Sequence, residues 1–568
     1  MSSSLDAAVL PVQVPDMEPL NPDAFADAAR APSLRPNGVA SAHAAAPPPL
    51  LEHELELNGQ LANRIVWKAL ACGLVADGFG WQSGVGLNLA IYLTLVLFSA
   101  ASVLRLRMGM IPRSSLRLLQ LGGVFSFFLI LRDSEELQFL NFVACVSCVV
   151  LAIAVAQPIP LVRVLSARVR DLVATAMRSG IVTAIGAFLL LFDLTSQTRG
   201  TKRVAMLRVV RMAVLSVGVT VAFGALLAAG DPVFRSATLW LVDWNAGTLG
   251  THLAAIAFFS WPVAGLLWGN TAFQRTSLSP ATLMHTGVTL RRVDTLAALT
   301  ALNVLFAVFV ATQARVLFGG QAYVLATTGL SLAEYARSGF FTLIVVAVLI
   351  LSLLLAFNAL LDKPGLSASK SMQRLSFSLL SLTGVVLVSA ATRMVVYMNA
   401  FGASPDRMFA MTIIGALAVV MVWFAMTVLR DRPLHFAFGA LVIGWSTLVV
   451  FNAANPHALI ARNHLDRAGR GELFDANLIA LNLSLDVVPD IVAAAEREMR
   501  AVLATPLSAV AGVSNPANSR THACAALGPL AARLKAAKAE HWWSMWNVAR
   551  WRAERALERS SQALAVCR

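Results

Sequence analysis

The apolar stretches of this chain are too long and too numerous to form the core of a soluble domain. Ser376–Gly402 is typical, because most of its residues are apolar and it is long enough to cross a bilayer. The chain has 568 residues, of which 57% are hydrophobic and 13% are charged. A soluble protein of this size cannot bury so much apolar surface. The bilayer must therefore solvate a large part of the chain.

The apolar stretches predict helices rather than the strands of a barrel. A backbone inside lipid must be helical or form a closed barrel, and these stretches lack the alternation of barrel strands. We therefore predict an all-α, polytopic transmembrane helical bundle of about 11 spans. The predicted spans are residues 65–81, 87–104, 118–131, 137–156, 209–229, 251–270, 296–318, 339–361, 377–398, 408–429 and 436–451.

The basic residues predict which side of the membrane each connection occupies. The net charge is +14, and Lys and Arg occur in short clusters between the apolar stretches, as the positive-inside rule describes for cytoplasmic loops. The apolar stretch Ile181–Leu194 is short and has basic clusters on both sides. We interpret it as a re-entrant or interfacial hairpin on the cytoplasmic face, because all the major clusters then share one side. The alternative is a twelve-span protein.

The same assignment divides the chain into three parts. Residues 1–62 are rich in Ala, Pro, Ser and Asp and are expected to be a disordered cytoplasmic tail. Residues 63–453 form the transmembrane domain, and residues 454–568 form a small helical domain on the extracytoplasmic side. The predicted location is the bacterial cytoplasmic (inner) membrane, with a cytoplasmic N-terminus and an extracytoplasmic C-terminus.

Several polar and charged residues fall at the outer ends of the predicted spans. Arg393 is the most unusual, because a charge inside a spanning helix costs at least about 2.5 kcal/mol and often marks a functional position. Two interpretations remain open. These side chains either extend to the headgroups and form structural ion pairs, or they form a polar layer beneath the C-terminal domain, with Arg393 paired to Glu334 or Asp77. The candidate cluster comprises Asp77, Asp231, Arg315, Glu334, Arg337, Arg393, Tyr397, Asn455 and Arg462.

No motif for a known chemistry stands out. Phosphate-binding, zinc-protease and nucleophile-elbow motifs are absent from the sequence, so we expect no cofactor and no metal. Cys145 and Cys148 lie in an apolar span and are interpreted as small buried residues, and the five cysteines show no disulfide pattern. The dispersed basic clusters do not predict nucleic-acid binding. Asp77 alone is reminiscent of the catalytic acid of membrane glycosyltransferases that use lipid-linked sugars.

Several short segments, taken in order, resemble one bacterial family of multi-pass membrane proteins that is catalogued only as a domain of unknown function. The resemblance covers roughly residues 65–560 and implies the membrane architecture described above, without an established activity or catalytic residues. The matching segments are Asp231–Phe234, Leu330–Phe340, Thr392–Met394 with Tyr397, Asn455-Pro456 with Leu459–Arg462, Leu483–Pro489 and Trp546-Asn547.

Three functions are compatible with this sequence. The first is a non-enzymatic membrane protein in envelope sensing, assembly or partner organisation, whose outward C-terminal domain is the interaction surface. Its expected partners are the lipid bilayer and an envelope protein or lipid at the outer face. The second is a transporter, and the third is a membrane-embedded transferase that acts on a lipid-linked substrate from outside. The sequence does not decide whether the protein is an enzyme.

Overall fold

The structure is a computed structural model that describes most of the chain after residue 48. The described ranges are 49–79, 84–156, 169–196, 247–272, 290–328, 340–361, 369–430, 432–472, 474–504, 522–539 and 544–560, with single residues between 216 and 231 and at 366. Two compact units divide the chain, Met1–Leu55 and Glu56–Arg568. Every contact described below lies within the second unit.

The described residues form helices, and the prediction of an all-α fold is confirmed. One isolated bridge joins Leu290 to Leu361. The helices are α1 (Pro49–Gly78), α2 (Leu87–Met108), α3 (Arg113–Leu131), α4 (Glu135–Val155), α5 (Val169–Ser196), α6 (Gly247–Ala272), α7 (Arg292–Thr328), α8 (Phe340–Leu360), α9 (Lys370–Phe401), α10 (Pro405–Thr427), α11 (Phe436–Ala454), α12 (Pro456–Gly469), α13 (Val488–Ala504), α14 (His522–Ala539) and α15 (Val548–Arg559).

Ten of the described helices, α2 to α11, are long and apolar enough to cross a membrane. They carry many exposed large apolar side chains, including Phe98, Phe258 and Leu349, as expected of helices that face lipid. The prediction of a polytopic helical bundle is therefore confirmed. Helix α1 is not among the ten, and residues 61–78 contain three charged residues, Arg64, Lys68 and Asp77. The predicted span 209–229 lies almost entirely outside the described residues.

The hairpin predicted at Ile181–Leu194 is wrong. This segment belongs to α5, a continuous helix of 28 residues, which at 1.5 Å per residue is about 42 Å long. Residues Leu172–Phe192 of α5 form one of the ten candidate spans. The uninterrupted apolar stretch is short, but the helix continues on its N-terminal side through Arg178. A continuous helix of this length excludes the hairpin.

Three groups of buried apolar side chains stabilise the described part of the chain. The first joins α1 to α6, with buried residues from Leu61 to Trp268 and one contribution, Trp445, from α11. The second joins α7 to α11 and extends from Leu299 to Phe436. The third lies in the C-terminal region, which we define as α12 to α15 and the turns between them, and it includes Ala403 from the bundle. Burial of this kind is the main stabilising term in folding.

The C-terminal region contacts one end of the bundle, which we call the docking end. This end contains the segments 84–88, 132–134, 402–404 and 452–455. Each segment contains a residue that bonds to the C-terminal region, or to a neighbouring bundle residue that is itself bonded to that region. The opposite end, which we call the basic end, contains the connections at residues 109–112, 361–369 and 428–435. Helices α2 and α4 run from the docking end to the basic end, and α3 returns between them.

Helix α5 also ends at the docking end, because it runs antiparallel to α6. Ser179 bonds to Asn270 at 2.9 Å and Trp261 donates to the carbonyl of Ala184 at 2.9 Å. Helix α6 begins at the docking end, since the Tyr92 hydroxyl near the start of α2 donates to the carbonyl of Phe259. The basic cluster from Arg199 to Arg211 therefore follows the docking end of α5 in sequence. The predicted span count relied on all the major basic clusters lying on one side of the membrane. The direction of α5 removes this support.

Candidate functional site

The C-terminal region meets the docking end at a buried group of charged and polar side chains, which we call the junction network. Arg132 and Asp133 come from the connection between α3 and α4, and Asn452 comes from the last turn of α11. Asp486 lies in a short helical turn just before α13, and Asn547 and Arg550 begin α15. The network thus joins residues that are more than 350 positions apart in the sequence.

Arg132 is the central cation of the junction network. One guanidinium nitrogen lies 3.3 Å from Asp486 Oδ1, and the two side chains are only 8% and 4% exposed. Its Nε donates to the carbonyl of Asn452 at 2.8 Å, and a terminal nitrogen donates to that of Ala453 at 3.4 Å. These carbonyls belong to the last turn of α11, where a cation also interacts favourably with the helix dipole.

The two carboxylates of the junction network are occupied by donors from the protein. Asp133 Oδ1 accepts from Asn547 Nδ2 at 2.8 Å and from Arg550 Nε at 2.7 Å. Asp486 Oδ2 accepts from the backbone N–H of Asp133 at 2.9 Å and from the Ser484 hydroxyl at 3.0 Å. The acceptor positions of both carboxylates are thus used by donors of the protein itself. These contacts give the two acids a structural role at the junction.

Amide side chains extend the junction network toward the bundle interior. Asn141 in α4 and Asn452 in α11 exchange two side-chain hydrogen bonds of 3.0 Å, and both residues are fully buried. Gln138 Nε2 donates to the carbonyl of Arg132 at 3.0 Å. A buried amide pair whose groups bond to each other fixes the rotation of two helices, because any slip leaves polar groups unpaired.

The C-terminal region also completes the beginning of α2. The first amides of a helix have no partner within that helix. Here Leu87 N donates to the carbonyl of Trp546 at 3.0 Å, and Asn88 N donates to that of Ser544 at 2.9 Å. Gly86 allows this approach, because a Cβ atom there would lie 2.6 Å from the carbonyl oxygen of Met545. The segment before α15 is thus docked by backbone bonds as well as by ion pairs.

The residues of the predicted outer cluster are distributed over several places. Arg393 in α9 donates to Gln313 Oε1 of α7 at 2.6 Å. Tyr397 packs against Phe401, and the Arg407 guanidinium lies 4.1 Å from the centre of the Tyr397 ring. Asn455 adopts a left-handed conformation (φ 53°) and caps α12. Arg462 forms an exposed ion pair with Asp490, with Nε 3.1 Å from Oδ1.

Of four further members of that cluster, one is an exposed residue, and the side chains of three lie outside the described residues. Asp231 is exposed, and its backbone N–H donates to the carbonyl of Leu227 at 2.9 Å. The backbone of Arg315 belongs to α7, but its side chain is outside the described residues, as are Glu334 and Arg337. The structure therefore gives neighbouring positions to Arg393 and Tyr397 on α9, and places Asn455 and Arg462 together on α12.

Asp77 forms a carboxylate–imidazole pair that the sequence did not predict. Its two oxygens lie 2.8 and 2.9 Å from His252 Nδ1. The histidine side chain is 60% exposed and the aspartate side chain 13%. Gly73 holds α1 close to α6, because a Cβ atom there would overlap Ser260 and the carbonyl of Ile256. His252 is 175 residues away in sequence, and nothing in its local sequence distinguishes it.

A groove lies on the C-terminal region between α14 and α15. Its volume is about 260 Å³. Its lining combines apolar and charged side chains and includes Leu534, Lys535, Trp546, Trp551, Glu554 and Leu557. Trp551 is exposed, and Arg555 lies over its ring at 5.2 Å from the centre. Exposed aromatic residues flanked by charged ones are typical of protein interaction sites.

Four of the five cysteines have a described state. Cys72, Cys145 and Cys148 are buried free thiols, so the interpretation of Cys145 and Cys148 as small buried residues is confirmed. In the described part of the chain, His, Cys, Asp and Glu form no group able to hold a metal ion. Cys524 is disulfide-bonded, which corrects the prediction that the cysteines show no disulfide pattern.

Comparison with known proteins gives one match. The family model described as "Domain of unknown function (DUF4153)" matches residues 120–494. This range begins in α3 and ends in α13, so it includes Arg132, Asp133, Asn452 and Asp486 of the junction network but not the groove. No curated protein and no solved structure matches the chain.

Proposed function

This chain belongs to the DUF4153 family of domains of unknown function, and we propose that it is a non-enzymatic membrane scaffold that presents its C-terminal region to a partner. The chain is a multi-pass membrane protein, since α2 to α11 are long and apolar enough to span. Its proposed role is envelope sensing, assembly or partner organisation in the bacterial cytoplasmic membrane.

The observation that carries this proposal is the junction network. Arg132, Asp133 and Asp486 use buried ion pairs and hydrogen bonds to fix the C-terminal region to the connection between α3 and α4. Removing one partner of a buried ion pair typically costs about 3–5 kcal/mol, because it leaves a charge uncompensated. A region held in this way moves with the bundle and presents its surface in a constant orientation, which suits a platform for another protein.

The groove between α14 and α15 supplies the proposed interaction surface. Its apolar lining comes from Leu534, Trp546, Trp551 and Leu557, and its charged groups include Lys535 and Glu554. These features fit an apolar side of a protein segment with polar flanks. The proposed partner is an envelope protein at the outer face, which the groove would contact next to the membrane surface.

The proposed orientation places the C-terminal region outside the cytoplasm. The connections and helix ends of the basic end carry Arg105, Arg107, Arg113, Arg117, Lys370, Arg374, Arg430 and Arg432, and such residues mark cytoplasmic loops. The disulfide at Cys524 supports the same orientation, because disulfides persist in oxidising compartments and are rare in the cytosol.

Site-specific photocrosslinking in cells tests the scaffold proposal. A photoreactive amino acid is placed at Trp551, in the groove, or at Arg552, its exposed neighbour outside the groove. We expect a crosslinked product of defined mass from position 551 only, and its loss when Asp486→Asn weakens docking. The same products from both positions, or products that persist in the docking variant, would contradict the proposal.

A membrane-embedded transferase is a second candidate function, and the Asp77–His252 pair favours it. A carboxylate that orients an accessible imidazole is a common arrangement for general acid–base catalysis. The pair lies near the docking end, where a lipid-linked substrate in the outer leaflet would reach it. Asp77→Asn and His252→Ala would abolish such a function while the protein level stays normal.

Complementation of a deletion strain separates the candidates. The scaffold predicts loss of function for Trp551→Ala combined with Leu534→Ala, and normal function for Asp77→Asn. The transferase predicts the reverse. Arg393→Ala tests the transporter alternative, since Arg393 and Gln313 form a polar contact inside the bundle. Every variant is compared at equal amounts of membrane-inserted protein.

A further inference from the structure

A second groove lies at the basic end, between the beginning of α9 and the end of α10. Its volume is about 390 Å³. Gln373, Arg374, Phe377 and Ser378 line it from α9, and Ala425, Met426, Leu429 and Arg430 line it from α10 and the turn that follows. The two candidate spans that form this groove are Lys370–Phe401 and Pro405–Arg430. The arginines therefore lie where these spans meet the headgroup layer, and the apolar lining extends from them toward the bilayer interior.

The guanidinium groups of Arg374 and Arg430, the two arginines of this groove, are accessible to a ligand. Both side chains are exposed. Neither has an ion-pair or hydrogen-bond partner within the described part of the chain. The sequence segments Lys370–Arg374 and Arg430–Arg432 contain four basic residues and one acidic residue. The mouth of the groove is therefore electropositive, and its guanidinium groups can form paired hydrogen bonds to a phosphate.

The groove is held open by a contact that does not involve the arginines. Gln373 Nε2 donates to the carbonyl of Leu429 at 2.6 Å, which ties the first turns of α9 to the end of α10. Ser378 lies one helical turn deeper than Arg374 on the same side of α9, and its exposed hydroxyl also lines the groove. Phe377 and Met426 are exposed apolar residues at its wall.

We propose that this groove binds an anionic phospholipid. The phosphate lies between Arg374 and Arg430, the ester region lies near the Ser378 hydroxyl, and an acyl chain follows Phe377, Ala425 and Met426. Basic pockets between transmembrane helices bind anionic headgroups by this combination of charge and apolar wall. A soluble phosphate compound would use only the charged mouth, whereas a lipid uses the whole groove. The apolar lining therefore favours the lipid.

Native mass spectrometry of the purified, delipidated full chain tests this proposal. Phosphatidylglycerol is titrated in detergent, with phosphatidylcholine as the neutral lipid and glycerol phosphate as the soluble headgroup. We expect Arg374→Gln with Arg430→Gln to weaken phosphatidylglycerol binding roughly tenfold or more, because each basic residue at the membrane surface contributes to binding of anionic lipid. Glycerol phosphate at the same concentration should not displace the lipid.

Two further variants make the result specific to the groove. Arg113→Gln with Arg117→Gln removes the same charge from exposed positions of α3 at the same end of the bundle, and should leave lipid binding unchanged. Ala425→Phe fills the groove while both arginines remain, and should also weaken binding. Equal binding of phosphatidylcholine, equal losses in both arginine pairs, or full competition by glycerol phosphate would overturn the proposal.

Discussion

Two aspartates only four positions apart differ in what surrounds them, and this difference sets their expected contributions. Asp486 faces Arg132 in the junction network, where the two side chains are 4% and 8% exposed. Asp490 pairs with Arg462, where the exposures are 26% and 60%. Exposed pairs typically contribute less than about 1 kcal/mol, whereas removal of one partner from a buried pair costs about 3–5 kcal/mol.

We therefore expect Asp486→Asn to lower the stability of the docked C-terminal region by about 3 kcal/mol or more. The variant leaves the Arg132 charge buried without its counter-ion. Thermal unfolding of the purified protein in detergent and the rate of proteolysis in the C-terminal region measure the effect. Asp490→Asn is the matched control and should change stability by less than about 1 kcal/mol. Equal effects of the two variants would remove the junction network as the main docking contact.

His457 predicts how docking depends on pH. Its Nδ1 accepts from the backbone N–H of Ser484 at 2.8 Å, so the proton of the neutral ring is on Nε2, which lies 4.0 Å from Glu136 Oε2. Burial lowers the pKa of His457 below the usual 6.5, while the carboxylates of Glu136, Asp486 and Asp133 oppose this shift and Arg533 adds to it. The docked state therefore binds this proton less readily than the undocked state.

The sign of the pH effect follows from that difference. The contribution of His457 to docking is fully present above pH 6.5 and is lost as the pH falls from 6.5 through the lower pKa of the docked state. We expect proteolysis of the C-terminal region to accelerate between pH 7.5 and 5.5. His457→Asn keeps an acceptor for Ser484 but does not titrate, so it should reduce this acceleration. An unchanged pH profile in the variant would assign the effect to other groups.

At the scale of elements, the close contact between α5 and α6 depends on glycines as well as on aromatic packing of Phe188 against Trp261. A Cβ atom at Gly186 would lie 2.6 Å from the carbonyl oxygen of Gly265, and one at Gly265 would overlap the carbonyl of Thr183. Gly265 and Gly269 are four residues apart on α6, the small-residue spacing that lets membrane helices approach closely. This close packing accommodates α5 within the bundle.

We expect Gly265→Ala to separate α5 from α6 and to lower stability by more than about 1 kcal/mol, because overpacking of a close contact typically costs about 1–3 kcal/mol. Thermal unfolding in detergent measures the effect. Gly415→Ala in α10 is the matched control, since nothing lies within 4 Å of its Cβ position. A helix interior gains stability when alanine replaces glycine, so the control should be neutral or stabilising. Similar destabilisation by both variants would show that α5 and α6 do not depend on this approach.

These elements also show which structural features could be predicted from the sequence and which could not. Long apolar stretches predicted the helical bundle, because lipid allows few other structures. Hydropathy could not predict that α5 is continuous, since its packing depends on Gly186 and Gly265, which contribute almost nothing to an apolar count. The sequence also pointed to Arg393, an unusual charge within a span. It did not point to Arg132 and Asp133, because their short connection has no distinctive sequence. Their importance follows only from the ion pairs that they form with Asp486 and Arg550 in the folded protein.

At the scale of the whole molecule, the two ends of the bundle differ in charge and in covalent chemistry. The basic end carries arginines on the ends of α2, α3, α9 and α10. The docking end carries Asp77, Asp133, Glu135 and Glu136 beside Arg132, although the basic cluster from Arg199 to Arg211 follows the docking end of α5 in sequence. The disulfide-bonded Cys524 belongs to the region at the docking end. The positive-inside rule and the location of disulfides in oxidising compartments are the grounds on which we propose that the docking end is extracytoplasmic.

Cysteine labelling in intact cells tests that orientation. Met110 at the basic end and Leu481 in the C-terminal region are 82% and 67% exposed, so Met110→Cys and Leu481→Cys introduce accessible thiols with little effect on packing. A membrane-impermeant maleimide should label the Leu481→Cys protein in intact cells and the Met110→Cys protein only after the membrane is opened. The parent protein measures labelling of the native cysteines, three of which are buried. Labelling of Met110→Cys alone in intact cells would place the C-terminal region in the cytoplasm. The groove between α14 and α15 would then face cytoplasmic partners, and the anionic lipid between α9 and α10 would belong to the outer leaflet.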